Sequence, residues 1–234
     1  MKLRAGTSGY SYKEWRGSFY PEALPQREML AHYSSRLPAV EINNTFYRLP
    51  RREVLERWAD QVPDRFRFVL KASRRITHFK RLSGAEEETA YLLETIAAGL
   101  GGKAGGVLFQ LPPTFEKDVD RLERFLAALP AAGRTAFEFR HPSWFDDELL
   151  RCLDRHGATL CVAETEEAPP PALFGAGGWG YVRLRKPAYS DAELRAWVGR
   201  IREQAWEEAY VFFKHEEEAT GPAAAARFLE LAVE

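Results

Sequence analysis

Apolar residues gather in eight short runs along the chain, beginning near Leu3, Ala39, Phe66, Gly106, Thr135, Thr159, Gly180 and Ala209. Their spacing averages roughly thirty residues, the length of one strand–helix–strand unit. Between the runs the apolar period lengthens to that of a helix. Val119, Leu122, Phe125, Leu126 and Leu129 make one stripe, and Leu194, Trp197, Val198 and Ile201 make another. Ser190 and Glu193 have capping-box spacing and open that second helix. Gly133 and Gly157 stand where a helix is expected to stop before the next strand. The sixth gap holds Pro169-Pro170-Pro171 and several glycines, which disfavour a full helix. The pattern predicts an α/β fold: a TIM-type β/α barrel of about eight parallel strands, forming one domain over residues 1–234. One helix, between strands six and seven, is expected to be weak or missing.

Within each run, successive residues point to opposite faces of the sheet. In AVEINN, Val40 and Ile42 face outward, and Glu41 and Asn43 face inward. The same reading puts Arg67, Val69 and Lys71 inside in the third strand, Glu138 and Arg140 in the fifth, Tyr181, Arg183 and Arg185 in the seventh, and Tyr210, Phe212 and Lys214 in the eighth. It places Cys161 on the outside. The inward strand ends are then Ser8, Asn43, Lys71, Gln110, Arg140, Glu164, Arg185 and Lys214. A closed parallel barrel collects these at one mouth, where this fold builds its active sites. Buried charges are costly unless paired, so a lumen this polar is either fully ion-paired or open to a ligand.

Composition narrows the choice. Hydrophobic residues make up 45% of the chain and the formal net charge is −1, so no global charge points to nucleic acid or membrane. Two cysteines, Cys152 and Cys161, without CxxC spacing argue against a disulfide framework or a thiolate zinc site. The opening MKLRAGTSGYSYKEW lacks the apolar run of a secretory signal, and no stretch approaches a membrane span. A cytoplasmic protein without membrane partners is expected. Dinucleotide-binding, Walker and GxSxG motifs are absent.

Five ordered stretches are more specific than any generic motif: GTSGYSYKEWRGSFYP (Gly6 to Pro21), EINNTFYRLP (Glu41 to Pro50), ITH (Ile76 to His78), LFQLPPTF (Leu108 to Phe115) and FEFRHPSW (Phe137 to Trp144). Together they resemble the YecE-like family, domain of unknown function 72, over essentially the whole chain. The resemblance implies a TIM-type barrel and carries no activity with it. Two stretches depart from the family pattern. Arg183-Leu184-Arg185-Lys186 stands where many members have R-x-H-G, and Phe212-Phe213-Lys214-His215 where many have Phe-x-Asn. Both changes make the expected mouth more cationic.

Three kinds of chemistry fit the mouth. Glu41 and Glu138 are the acid/base candidates, with Glu164 beside them, since paired carboxylates can donate and accept protons. Lys71 is the third catalytic candidate, placed to polarise a carbonyl or bind phosphate. A lysine beside other cations has a lowered pKa. Arg140, Arg183, Arg185 and Lys214 could clamp an anion, helped by the loop cations Arg74, Arg75, Lys80 and Arg81. Asn43, Tyr47, His78, Gln110, His141 and Trp144 complete the candidate binding set. The first-loop aromatics Tyr10, Tyr12, Trp15, Phe19 and Tyr20 read as a lid on the barrel end or as a sugar platform. Of the histidines, His78, His141 and His215 can reach the mouth; His32 and His156 read as structural. No metal ligands are assigned and no cofactor is predicted, although Glu41, Glu138, Glu164 and His141 could hold magnesium or manganese. The expected ligand is a small anionic or phosphorylated molecule, acted on by hydrolase or lyase chemistry. A metal-dependent barrel nuclease or isomerase, and a non-enzymatic module for nucleic acid or another polyanion, stay open.

Overall fold

Eight strands, all parallel to their neighbours, pair in sequence order and close when β1 (Lys2–Ser8) meets β8 (Glu208–Phe213). The remaining strands are β2 (Ala39–Ile42), β3 (Arg67–Lys71), β4 (Ala104–Gln110), β5 (Thr135–Glu138), β6 (Thr159–Glu164) and β7 (Trp179–Leu184). A computed structural model describes residues 1–130, 133–164, 171–214 and 219–233. Each predicted strand starts within two residues of its expected position.

Helices α1 (Met29–Arg36), α2 (Arg52–Asp60), α3 (Glu86–Leu100), α4 (Val119–Ala127), α5 (Asp147–Arg155), α6 (Asp191–Arg202) and α7 (Thr220–Leu231) run between or after the strands. The α4 and α6 stripes are buried as expected, at Leu122, Phe125 and Leu126 and at Leu194, Trp197, Val198 and Ile201. Ser190 caps α6 reciprocally with Glu193, satisfying two helix-end donors. Gly157 takes a φ of 63° just past α5, and Ala158 N–H donates back to Leu153 O at 2.9 Å, the left-handed helix stop that glycine permits. Gly133 does not serve in this way, because α4 already ends at Ala127. Among the described residues, no helix forms between β6 and β7. Pro169 and Pro170 lie outside those residues.

The core has two parts. An outer shell packs the helices on the outward strand faces, where Phe66, Phe68, Phe109 and Phe137 are fully buried. Inside the barrel, Ala39, Val69, Leu108, Ala136, Cys161, Trp179, Tyr181, Tyr210 and Phe212 form a separate apolar cluster. This filled interior makes the barrel a core and not a pore. β7 also carries an outward glycine for a steric reason: a Cβ on Gly180 would lie 2.0 Å from the ring of Trp206.

Cys161 corrects the expected register. It lies in the inner cluster, so β6 presents Thr159, Cys161 and Ala163 to the axis and turns Leu160, Val162 and Glu164 outward. The strand is apolar on both faces, so its sequence gives no alternation to read, and a one-residue shift exchanges the faces.

Candidate functional site: a cationic mouth over two buried carboxylates

The C-terminal strand ends enclose a cavity of about 430 Å³ lined by Tyr12, Asn43, Phe46, Tyr47, Lys71, His78, Gln110, Arg140, Arg183, Arg185 and Lys214. The structure thus brings together nine of the residues the sequence singled out for binding or catalysis. Glu41 and Glu138 lie directly beneath as the anionic floor.

Glu138 ends β5 and is almost wholly buried. It accepts from Arg183 Nη1 at 2.6 Å, Arg185 Nη2 at 3.0 Å, Arg140 Nε at 3.0 Å and Gln110 Nε2 at 2.9 Å. Burial alone would raise its pKa. Arg183, Arg185 and Arg140 outweigh that and hold the carboxyl well below the ordinary range. Glu41, on β2, accepts from Arg183 Nη2 at 2.8 Å, Tyr181 Oη at 2.6 Å and Ser8 Oγ at 2.7 Å. Here too burial raises the pKa, while Arg183 and the Tyr181 and Ser8 hydrogen bonds bring it below normal. Both groups are therefore fixed anions at neutral pH, and Arg183 bridges them.

The upper wall differs. Lys71 ends β3 and donates to Gln110 Oε1 at 2.7 Å, with its ammonium 4.1 Å from the centre of the Phe46 ring. It makes no ion pair with a carboxylate of the described residues. Burial first, and the charge of Arg183 next, bring its pKa down to about 8. Burial also lowers His78, reinforced by Lys71, Arg140 and Arg81. Asn43 Oδ1 and Arg183 Nε are buried and find no hydrogen-bond partner among the described residues.

Local structure explains these positions. Thr45 Oγ1 donates to Ile42 O at 3.0 Å and to Lys71 O at 2.7 Å, which ties the turn after β2 to the end of β3. Phe46 and Tyr47 are thereby set beside Lys71. Tyr12 Oη donates to Ser8 O at 2.7 Å and carries the first loop over the rim. The rest of that loop is a packed lid, with Trp15 and Tyr20 buried.

Several expected residues are placed elsewhere. Glu164 points away from the axis, accepting from Tyr189 Oη at 2.6 Å and facing Lys186 Nζ at 3.3 Å. Trp144 is fully buried against Phe139 and donates from Nε1 to Phe115 O at 2.7 Å, which makes it a packing residue of the β5 loop. His141, extended by the following proline, accepts from Ser143 N–H and caps the short turn Pro142–Trp144. The oxygen-rich metal set suggested by the sequence is consequently not assembled, and no metal-ligand cluster occurs among the described residues. Arg75 and Lys80 pair with Glu88 of α3 at 3.1 and 2.5 Å, and Arg81 turns to Thr114. Arg74 lies over the rings of Tyr47 and Phe79. His32 bonds Phe19 O and His156 bonds Glu123, both structural; His215 lies outside the described residues. Phe46 and Tyr181 carry the site without having been expected to. Phe46 follows β2 directly inside the EINNTFYRLP stretch, and that position was the available signal. Tyr181 was read as inward, but nothing in sequence paired it with Glu41.

A closed parallel barrel with a charged C-terminal mouth defines the class. Within it, the chain belongs to the family described as "Protein of unknown function DUF72", which matches residues 4–234. It is 35% identical over 142 residues to UPF0759 protein YecE of Escherichia coli K12, covering 58% of this chain and 52% of that protein. It is 28% identical over 135 residues to UPF0759 protein YunF of Bacillus subtilis, covering 55% and 48%. The match spans about half the length of these curated relatives. Among solved structures, a DUF72 family protein from Thermotoga maritima superimposes over the full length of both chains with a TM-score of 0.86 at 25% identity. One from Enterococcus faecalis gives 0.79 at 19%, covering 100% of this chain and 98% of that one. No described helix is long and apolar enough to cross a membrane.

Proposed function

We propose that the mouth binds a small anionic ligand, most simply a phosphate ester, and that the protein is an enzyme of hydrolase or lyase type acting on it. One observation carries this reading. Among the described residues, the cavity wall presents Lys71, Arg140, Arg183, Arg185 and Lys214 and no carboxylate, with Glu41 and Glu138 below to offset them. Cations that merely pair with one another's counterions would not crowd an open cavity. Several guanidinium groups on one wall suit a phosphate's oxygens.

The carboxylates take a different part from the one expected of an acid/base pair. Each is committed to Arg183 and held ionised, so each orients the arginine and leaves proton transfer to other groups. Lys71, brought down to about 8, and His78, whose lowered pKa keeps the imidazole uncharged at neutral pH, both lie on the cavity wall and are the groups suited to move protons.

A second reading has its own support. Tyr47 and Phe79 are 69% and 70% exposed, and Arg74 lies over both rings. Exposed rings beside a cationic cavity are the parts from which sites for single-stranded nucleic acid are made. Thermal shift with inorganic phosphate, sugar phosphates, nucleotides, short oligonucleotides and neutral sugars separates the readings. Stabilisation of about 2.7 kcal/mol is expected at a hundredfold excess over the dissociation constant. Selective stabilisation by small phosphates supports the first reading, and stabilisation only by oligonucleotides supports the second. Stabilisation by neutral sugars alone would overturn both.

A further inference from the structure

We propose that Lys71 is an amine nucleophile, which condenses with the aldehyde or ketone of an anionic ligand held by Arg140, Arg185 and Lys214. This rests on the reading of the mouth as an anion site and adds the second functional group of the ligand: a carbonyl a short reach from its charge.

Lys71 differs from the other seven lysines of the chain. Lys80, Lys103, Lys117 and Lys186 each lie in an ion pair with a carboxylate. Lys2, Lys13 and Lys214 are exposed. Among the described residues, Lys71 alone is partly buried on the wall of a cavity without a carboxylate partner. Its hydrogen-bond acceptor is the neutral amide oxygen of Gln110, at 2.7 Å, and the amide is itself fixed by donation to Glu138. The Phe46 ring shields one side of the nitrogen. A lysine among other cations, in a site partly withdrawn from water, favours its uncharged and nucleophilic form. The fall of its pKa to about 8 agrees with this placement.

The condensation balances without a further reagent. The Lys71 nitrogen lone pair forms a C–N bond to the carbonyl carbon, and the carbonyl oxygen takes up a proton to give a carbinolamine. Loss of that oxygen as water, carrying both hydrogens of the amine, leaves the C=N bond of an imine. Its protonated form withdraws electrons from the neighbouring carbon, where a bond can then break heterolytically. That is chemistry of the lyase type.

The test uses pyridoxal 5′-phosphate as a probe that joins an aldehyde to a phosphate, with pyridoxal as its counterpart lacking the anion. The full chain is treated at pH 8, reduced with borohydride and mapped by peptide mass spectrometry across all eight lysines. The expected result is an adduct at Lys71 at least about tenfold above that at any other lysine, suppressed by inorganic phosphate and weak with pyridoxal. Lys71→Met is expected to lose this adduct and to keep a thermal shift with inorganic phosphate that is reduced by the loss of one cation. Lys71→Arg preserves the charge, so it is expected to lose the adduct and keep the full phosphate shift, and it answers the question should the methionine variant not fold. An adduct spread over Lys2, Lys13 and the other exposed lysines, with phosphate still stabilising the protein, overturns the imine and leaves the anion site standing. A Lys71 adduct indifferent to phosphate, with no phosphate-induced stabilisation, overturns the anion site on which the proposal rests. Absence of both adduct and stabilisation ends both readings.

Discussion

Arg183 and Glu138 meet at 2.6 Å on the barrel axis, with side chains only 3% and 2% accessible to solvent. Arg183 extends its other terminal nitrogen to Glu41, so a single guanidinium joins β2 to β5 from β7. Above this junction every charge on the cavity wall is positive among the described residues.

Removing the charge of Glu138 leaves Arg183 with Glu41 alone. Breaking a buried pair from one side costs about 3–5 kcal/mol, and Glu138→Gln is expected near the lower bound because Arg140 and Arg185 can turn to water. Urea unfolding measures it, and a loss below about 1 kcal/mol would show the pair to be energetically slight. The pH dependence has a definite sign. Both carboxyls are lowered in the folded protein, so their stabilisation is complete above the unfolded value of about 4.3 and is lost as pH falls through the lower folded values. The variant is expected to show a shallower fall of melting temperature below about pH 4.

Anion affinity is expected to depend on the charge of Lys71. A bound phosphate stabilises the ammonium and raises its pKa from about 8, so binding takes up a proton where the free amine is partly neutral. Affinity for phosphate is expected to hold steady below pH 7 and to weaken as pH rises through about 8. Calorimetric titration in buffers of different ionisation enthalpy reads the proton uptake directly. No uptake at pH 8 would remove Lys71 from the anion's surroundings.

Lys214 and Arg140 reach the cavity from its rim. Alanine at either position is expected to weaken phosphate binding by about tenfold, or about 1.4 kcal/mol. For Lys214→Ala, which breaks no ion pair among the described residues, unfolding stability is expected to change by less than about 0.5 kcal/mol. Unchanged phosphate affinity in both variants would mean that the rim cations do not touch the ligand.

Gly180 tests the fold independently of the mouth. Its Cβ would stand 2.0 Å from the Trp206 ring, and the ring can yield only by moving as a rigid plate. Gly180→Ala is expected to cost about 1–3 kcal/mol in urea unfolding, with phosphate binding retained at temperatures where the variant is folded.

The barrel was legible because its strands recur at a fixed interval and because Val40–Glu41–Ile42 and Phe137–Glu138–Phe139 alternate without ambiguity. Those two strands positioned the buried carboxylates before any coordinates. β6 offered no such contrast. Leu160, Cys161 and Val162 are all apolar, and Glu164 was placed on the wrong face as a result. The loops were harder still. Nothing in FEFRHPSW distinguishes a histidine that caps a turn from one that meets a ligand, or a tryptophan that seals a loop from one that stacks on a substrate. Those distinctions depend on Phe115 and Phe139, which only the folded chain brings against Trp144. Likewise, Arg75 and Lys80 are drawn away by Glu88, a partner from α3 that the sequence does not place beside them.

Val69, Leu108, Cys161, Trp179 and Tyr210 close the barrel beneath the ion-paired floor. Among the described residues the lumen is thus closed below and opens at the mouth. Tyr12 and Tyr47 stand on the lining of that mouth. On the proposed reading of the mouth as an enzyme site, a product that keeps the anionic group of its precursor competes with that precursor for the same cations, and accumulated product is expected to slow the reaction.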